Sequence, residues 1–193
     1  MDSEGATQIF IHTQDRPSLF ALTVSALDQL DLNIVDARIY TSGSGHTLDT
    51  FYVLDTNNQS IGQDQPRLES IKSLLKERIN TPRDYFSNIS RRTPRQMRLF
   101  SMPTTTTFSN DKTLGLSILE VITPDRPGLL ARIAKVFIEF NVLIQNAKIT
   151  TLGERVEDVF FITNNQQQAI EDEQLKKQIQ QAICKELDEQ ATS

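Results

Sequence analysis

The short sequence Asp-Arg-Pro occurs twice in this chain, at residues 15–17 and 125–127, each time after a run rich in β-branched residues. A helix that starts at such a turn presents unpaired backbone N–H groups, which attract anions such as a carboxylate. In the second copy Gly128 follows the proline, and its missing Cβ lets a ligand approach the backbone closely. The second copy is therefore the better candidate for an anion site, because Ser18 replaces the glycine in the first.

If the anion is the carboxylate of an amino-acid ligand, the site also needs an acceptor for the ammonium group of that ligand. Asn146 in the second copy, or Asp36 in the first, lies near the start of a following strand and could supply it. A purely structural reading competes with this one, because an aspartate before a proline commonly caps a helix. On that reading Asp15 and Asp125 only accept first-turn N–H groups. Repetition of the motif with matched neighbours favours a ligand site in at least one copy.

Composition excludes several other functions. The 193 residues include two histidines and one cysteine, and no set of residues has zinc-ligand spacing, a phosphate loop or a nucleophile with a matched base. With 20 basic and 25 acidic residues the net charge is −5, which argues against nucleic acid as a partner. No apolar run is long enough for a membrane span. We therefore expect a non-catalytic chain that binds neither nucleic acid nor membrane.

An internal repeat organises the sequence. Residues 13–43 align with 123–153 at a constant offset of 110, and eleven of these 31 positions are identical. After one residue is dropped in a turn, residues 49–53 match 158–162. A period this long that occurs only twice indicates tandem domains and not a solenoid.

Each copy shows the same series of elements, which is strand, helix, strand, hairpin, strand and helix. Short β-branched runs predict the strands, and apolar residues at steps of three and four predict the helices. The predicted strands are 8–12, 33–41 and 50–54 in the first copy and 117–122, 143–151 and 159–163 in the second. This order needs one more edge strand to complete the ferredoxin-like βαββαβ unit.

The second copy ends before such a strand, so we predict a substitute. Residues 104–108, followed by a turn at 109–112, would fold back as a hairpin and provide the missing edge. The predicted fold class is α+β, with two tandem βαββαβ domains whose antiparallel sheets carry helices on one face. The predicted divisions are a leader at 1–6, a first domain at 7–79, a basic linker at 80–96, an edge strand of the first domain at 97–103 and a second domain at 104–193.

Alternation along the strands predicts an aromatic face on each sheet. Phe51 and Val53 should face the helices, which leaves the opposite side to Phe10, Tyr40, Tyr52 and Phe161. A two-layer unit exposes that side to water unless something covers it. We therefore expect it to meet another domain or another subunit.

Residues 125–137 and 146–163 closely resemble the C-terminal ACT domain of the bifunctional uridylyltransferase/uridylyl-removing enzymes. Residues 7–17 resemble the first ACT domain of that family, and residues 95–104 resemble its joining segment. The resemblance covers nearly the whole chain. The Asp-Arg-Pro-Gly part is general to ACT domains, whereas Thr-Leu-Gly-Glu-Arg-Val-Glu-Asp-Val-Phe-Phe is far more specific to this family.

This resemblance implies a regulatory region that senses L-glutamine and controls uridylylation and deuridylylation of the PII nitrogen-signalling protein. The catalytic nucleotidyltransferase and hydrolase domains, with their Mg²⁺, would lie upstream in the same cytoplasmic polypeptide, and this chain would need no cofactor or metal of its own. A homodimer is a further partner that the resemblance allows. The implied ligand-binding residues are Asp125, Gly128, Leu129, Leu130 and Asn146, with Asp15, Ser18, Leu19 and Asp36 as a secondary set. Two alternatives stay open: an ACT pair of another amino-acid-regulated enzyme, and a dimerisation module that binds no ligand.

Overall fold

The computed structural model describes residues 5–16, 18–80, 102–126 and 128–189. The first domain has a three-stranded antiparallel sheet in the order β1-β3-β2, with two helices. Its elements are β1 (Thr7–Gln14), α1 (Leu19–Gln29), β2 (Asn33–Arg38), β3 (His46–Leu54) and α2 (Gln65–Asn80). The strands follow the predicted order and extend a few residues beyond the predicted limits, except that β2 ends at Arg38.

The second domain repeats this arrangement and adds one strand at its start. Its main sheet order is β4-β5-β8-β6, with the short β7 paired to β8. The elements are β4 (Thr105–Asp111), β5 (Leu116–Pro124), α3 (Leu129–Glu139), β6 (Leu143–Lys148), β7 (Thr151–Leu152), β8 (Arg155–Thr163) and α4 (Glu173–Asp188). The structure thus contains two antiparallel sheets, each with its own pair of helices, as the sequence predicts.

The predicted substitute edge strand is confirmed. Strand β4 pairs antiparallel with β5 along its full length, from Thr105 opposite Ile122 to Asp111 opposite Leu116. The predicted turn position was wrong by about three residues, because β4 continues to Asp111, whose carboxylate accepts the N–H groups of Thr113 and Leu114. The predicted edge strand of the first domain and most of the basic linker lie outside the described residues.

Period-two burial on the central strands builds the core. On β3, Phe51 and Val53 are fully buried, and Phe160 and Ile162 occupy the corresponding places on β8. The inner face of each helix closes over these side chains. Since a strand alternates its side chains between two faces, the residues between them lie on the far side of the sheet. There, Phe10 is 61% exposed and Tyr40 is 60% exposed.

The two domains pack against each other through two pairs of elements. Helix α1 contacts α3, and the edge strand β2 lies beside the edge strand β6. The ring of Phe20 on α1 lies 6.3 Å from that of Phe51 in its own domain and 6.5 Å from that of Phe160 in the other. One continuous apolar cluster therefore includes both domains, and residues related by the repeat face each other across this junction.

Candidate ligand site between the two domains

A cavity of about 540 Å³ lies between the two domains. The second domain contributes the loop between β5 and α3, and the first contributes the end of α1 and the start of β2. Its lining includes Val24, Asp28, Leu32, Asn33, Ile34, Asp125, Arg126, Gly128, Leu129, Leu130, Thr151 and Asp158. This volume falls within the range of roughly 300–1,000 Å³ that small-molecule sites occupy.

The loop between β5 and α3 is shaped by one glycine. The N–H of Asp125 donates to the carbonyl of Glu154 at 2.8 Å, which ties the loop to the hairpin beside it. Gly128 then adopts a left-handed conformation with φ 74°, which a residue with a Cβ enters only at a cost. Helix α3 begins at Leu129, so its first turn of N–H groups lies at the wall of the cavity.

The predicted aspartate caps were wrong. Helix α1 begins after Ser18 and α3 after Gly128, and at neither position does a side chain accept a hydrogen bond from the first turn. The carboxylate of Asp15 accepts the hydroxyl of Thr41 at 3.3 Å, and that of Asp125 accepts the N–H of Arg126. Both aspartates lie three residues before the position of an N-cap, which puts them out of reach of the helix start. Their carboxylates therefore belong to the loop and its neighbouring cavity.

Two acids of the second domain lie together at the cavity wall. Burial raises the pKa of Asp125, and hydrogen bonding to the Arg126 N–H opposes that rise. Asp158 on β8 is 1% exposed, and burial, together with the charge of Asp125, raises its pKa well above the usual range. One carboxyl oxygen of Asp158 accepts the N–H of Thr150 at 3.2 Å. Among the described residues, the other oxygen has no hydrogen-bond partner.

The first domain supplies the opposite wall with a further acid and an amide. Asp28 on α1 and Asn33 at the start of β2 both line the cavity. The Asn33 amide donates to the carbonyl of Asp55 at 3.4 Å. Arg132 on α3 is 7% exposed; burial lowers its pKa, and the carboxylates of Glu186 and Asp28 oppose that change. The cavity thus combines several acceptors with a helix start, which is the arrangement that a zwitterion needs.

Arg126 is held by the protein itself. Its guanidinium donates to the carbonyl of Leu187 near the end of α4 at 2.8 Å. The neighbouring Asp188 accepts both the N–H and the hydroxyl of Thr104, at 3.2 Å and 2.6 Å respectively. Arg126 therefore joins the cavity loop to the last turn of α4, and is positioned as a structural link instead of an anion clamp.

Four of the five residues of the main predicted set line this cavity: Asp125, Gly128, Leu129 and Leu130. Asn146 does not. It pairs with Phe161 in the β6–β8 ladder and is exposed. On β8, Phe160 and Ile162 are buried beneath the helices, so Phe161 between them lies on the other face of the sheet. Asn146 is paired with Phe161 and therefore also lies on the face away from the helices. The placement of this residue at the site is thereby corrected.

The lining residues that sequence reasoning missed include the two acids Asp28 and Asp158 and the amide Asn33. For Asp158 a signal was available, because it shares its alternating face with Phe160 and Ile162. An acid in that series is unusual and marks a special environment. For Asp28 and Asn33 no local signal exists, since they belong to the other copy and meet the loop only after the domains pack.

The repeat places a second cavity at the corresponding position, of about 40 Å³. Asp15 and Leu19 of the secondary set line it, whereas Ser18 and Asp36 do not. Asp36 pairs with Tyr52 on the outer face of its sheet, so its predicted role is corrected for the same reason as that of Asn146. The wall from the second domain is apolar and consists of Ala134, Phe137, Ile138, Val142, Leu143 and Ile144.

Comparison with known proteins identifies the type of domain. Residues 115–190 match the family described as the ACR family N-terminal ACT domain. Nearly the whole chain is similar to the bifunctional uridylyltransferase/uridylyl-removing enzyme of Pseudomonas syringae pv. tomato, at 53% identity over 184 residues. The chain is an ACT-domain region. The same enzyme of Stutzerimonas stutzeri is 51% identical to this ACT region over 187 residues.

The ACT region spans about a fifth of the length of these curated relatives, 20% and 21% respectively, while 95% and 97% of the chain itself is covered. Among solved structures, the ligand-free regulatory subunit of aspartate kinase from Thermus thermophilus matches at 12% identity and a TM-score of 0.27, covering 98% of this chain and 97% of that one. That score is too low to support an argument.

Within the described residues of the ACT region, no three His, Cys, Asp or Glu side chains are grouped as a metal site would require. The same residues include no helix of the length and apolarity that a bilayer crossing demands.

Proposed function

We propose that this ACT region senses L-glutamine and controls the uridylylation and deuridylylation of the PII protein by catalytic domains in the same polypeptide. The relatives are named as enzymes that both transfer and remove a uridylyl group, and the chain spans only about a fifth of their length. The ACT fold, with a cavity and no catalytic constellation among its described residues, supports a regulatory role for this part.

The observation that carries the proposal is the large cavity at the domain junction. Its two walls come from different domains, so a ligand that fills it contacts both at once. A ligand shifts a conformational equilibrium only by its differential affinity for the two states. A bound amino acid would therefore favour one relative arrangement of the domains, and that arrangement would bias the attached catalytic domains.

The polar groups of the cavity suit a zwitterion. The N–H of Leu129 donates to the carbonyl of Arg126 at 3.2 Å, and the next first-turn N–H groups of α3, at Leu130 and Ala131, favour a carboxylate. Asp28, Asp125 and Asp158 favour an ammonium group. Asn33, whose side chain both donates and accepts, suits a side-chain amide such as that of glutamine. This set of contacts is the basis for choosing glutamine over an apolar amino acid.

Isothermal titration calorimetry of the chain with L-glutamine tests the proposal. Glycine, serine and isoleucine are titrated in the same way as alternative ligands. We expect saturable heat with glutamine and a rise in thermal midpoint. Asp125→Ala should weaken binding at least about 10-fold, since it removes a carboxylate from the wall. The matched control is Asp15→Ala, the same substitution at the small cavity, which should leave affinity unchanged.

If a different amino acid binds in place of glutamine, the proposed site stands and only the identity of its regulatory ligand changes. Absence of heat and of any thermal shift with all four would contradict the sensor function and favour a dimerisation module. The exposed side chains of Phe10, Tyr40 and Leu48 on the outer sheet face fit that second role. Sedimentation of the chain with and without ligand separates the two, because a module that only dimerises keeps its oligomeric state regardless of amino acids.

A further inference from the structure

Asp158 is the least satisfied polar group in the wall of the large cavity. Its side chain is 1% exposed, and among the described residues one of its carboxyl oxygens has no hydrogen-bond partner. A buried polar atom without a partner normally costs stability, and native proteins keep few of them. Such an atom at a cavity wall is explained if a ligand completes its hydrogen bonding.

The repeat contains a matched acid whose hydrogen-bond partners can be compared with those of Asp158. Asp49 on β3 corresponds to Asp158 and lines the small cavity. Its carboxylate accepts the hydroxyl of Thr47 and the N–H of Tyr40. In the second domain the position of Thr47 is occupied by Val156, which has no hydroxyl. In both domains one oxygen of the carboxyl accepts a backbone N–H, from Tyr40 in Asp49 and from Thr150 in Asp158, and in Asp49 the hydroxyl of Thr47 donates to that same oxygen.

The surroundings of Asp158 favour a positively charged partner. Two further acids line the cavity, Asp125 on the β5–α3 loop and Asp28 on α1. The nearby cations are Arg126, which donates to the carbonyl of Leu187, and Arg132 on α3, which lies close to the carboxylates of Glu186 and Asp28. Among the described residues, these three acids outnumber the one cation that lines the cavity, Arg126.

We propose that Asp158 recognises the ammonium group of the bound amino acid, accepting its hydrogen bond at the oxygen that the protein leaves without a partner. This inference rests on the proposed amino-acid site and assigns the residue that selects α-amino compounds within it. Val156, at the position of Thr47, has no hydroxyl, so the carboxyl of Asp158 lacks the side-chain donor that Asp49 has.

A proton accompanies this recognition. Burial raises the pKa of Asp158, which favours the protonated carboxyl in the free protein. A bound ammonium favours the ionised form, so it lowers that pKa and the proton is released to solvent. Affinity should therefore rise with pH through the pKa of the free protein. Asp125 is the nearest titrating neighbour, and its own raised pKa adds a smaller dependence of the same sign.

The test compares three variants of the full chain, namely Asp158→Asn, Asp49→Asn and Val156→Thr. Each is titrated calorimetrically with L-glutamine and with glutaramate, which has the same amide and carboxylate and no amino group. The panel of glycine, serine and isoleucine replaces glutamine if one of them is the ligand. Thermal unfolding checks that each variant is folded, and Val156→Thr leaves the acid itself intact.

We expect Asp158→Asn to weaken amino-acid binding roughly 10- to 100-fold, the loss of one hydrogen bond to a charged group. It should also bring the amino acid and its desamino analogue to similar affinities and reduce the pH dependence. Val156→Thr should change binding little, because its hydroxyl, placed as that of Thr47 is, would reach the oxygen that already accepts the Thr150 N–H and not the one assigned to the ligand. Asp49→Asn should leave affinity and discrimination unchanged.

The experiment distinguishes failure of the Asp158 assignment from failure of the proposed sensor function. If the wild-type chain binds an amino acid and Asp158→Asn binds it equally well, with the same preference over the desamino analogue, the assignment of Asp158 is overturned while the sensor function stands. If the wild-type chain binds no amino acid, the sensor function and this assignment fall together.

Discussion

The large and the small cavity are related by the internal repeat and share the Asp-Arg-Pro loop, yet their volumes are about 540 and 40 Å³. The loop motif therefore does not decide which cavity can hold a ligand. The decisive residues belong to the facing domain, at the end of a helix and the start of a strand. At this junction each cavity is bounded by the motif-bearing loop of one domain and by residues of the other domain.

The facing residues differ in kind at matching positions. Asp28 and Asn33 face the loop of the second domain, and their counterparts Ile138 and Leu143 face the loop of the first. On the loop side, Leu130 corresponds to Phe20, whose ring lies between Phe51 and Phe160. Larger and apolar side chains thus fill the small cavity, and 40 Å³ has room for only a few water molecules.

The largest expected effect comes from giving the large cavity the wall of the small one. Asp28→Ile combined with Asn33→Leu should reduce ligand affinity by over roughly 100-fold, because two polar contacts are lost and their space is filled. Calorimetry measures this. Asp36→Ala is the control, since this acid on the same strand lies outside both cavities. An affinity within about threefold of wild type for the double variant would remove the facing domain from the site.

Next in size is a difference in pH dependence between the two buried acids. Burial raises the pKa of Asp49 from 3.8 to about 6. Between these pH values the folded protein holds a proton that the unfolded chain has released, so the contribution of Asp49 to stability is greatest below pH 3.8 and falls as pH rises to about 6. The free energy of unfolding of the wild type should include a decrease of about 2–3 kcal/mol from this group over that pH range. Asp49→Asn should not show this decrease when both proteins are compared by urea unfolding.

The same measurement on Asp158→Asn sharpens the comparison. Burial and the charge of Asp125 also raise the pKa of Asp158, so its contribution to stability should likewise fall as pH rises above the usual aspartate range. Identical pH profiles for the two variants would show that the two acids occupy equivalent environments.

A smaller effect separates the two loop arginines. Arg126→Ala should cost about 1.5–2 kcal/mol of unfolding free energy, because it removes the hydrogen bond from a charged group to the carbonyl of Leu187. The matched Arg16→Ala should cost less, because one terminal nitrogen of Arg16 has no partner among the described residues. Urea unfolding gives both values, and equal losses would argue against the link between the loop and α4.

The smallest effect concerns the loop conformation. Gly128 has φ 74°, whereas Ser18 at the matching position has φ −108°. Gly128→Ser should cost about 1 kcal/mol, which lowers the thermal midpoint by roughly 2–4 °C. Ser18→Gly should change the midpoint little. A Gly128→Ser variant as stable as wild type would show that the left-handed conformation is not required.

The sequence predicted the fold well because its signals are local. The repeat, the alternation through Phe51 and Phe160 and the hairpin that supplies β4 all depend on neighbouring residues. The turn at 109–112 was misplaced because polar residues such as Asn110 are compatible with both a turn and an edge strand.

The candidate site was predicted only on its own side of the cavity. Asp125 and Gly128 follow from the motif, Leu129 and Leu130 follow from the family resemblance, and all four line the cavity. Asp28 and Asn33 reach the site through packing between domains, which no local pattern encodes. Asn146 was misplaced because its position relative to the sheet depends on a register shift between Ile144 and Asn146 that periodicity alone does not reveal.

The hydrogen bonds from Thr104 to Asp188 join the two ends of the second domain, 84 residues apart along the chain. They also place the entry into this domain beside the turn of α4 that holds Arg126. Contacts this distant in sequence form late, because loop closure must precede them. During synthesis, the second domain therefore stays open at this seam until α4 has left the ribosome, and the cavity loop gains its anchor only with the final turn of that helix.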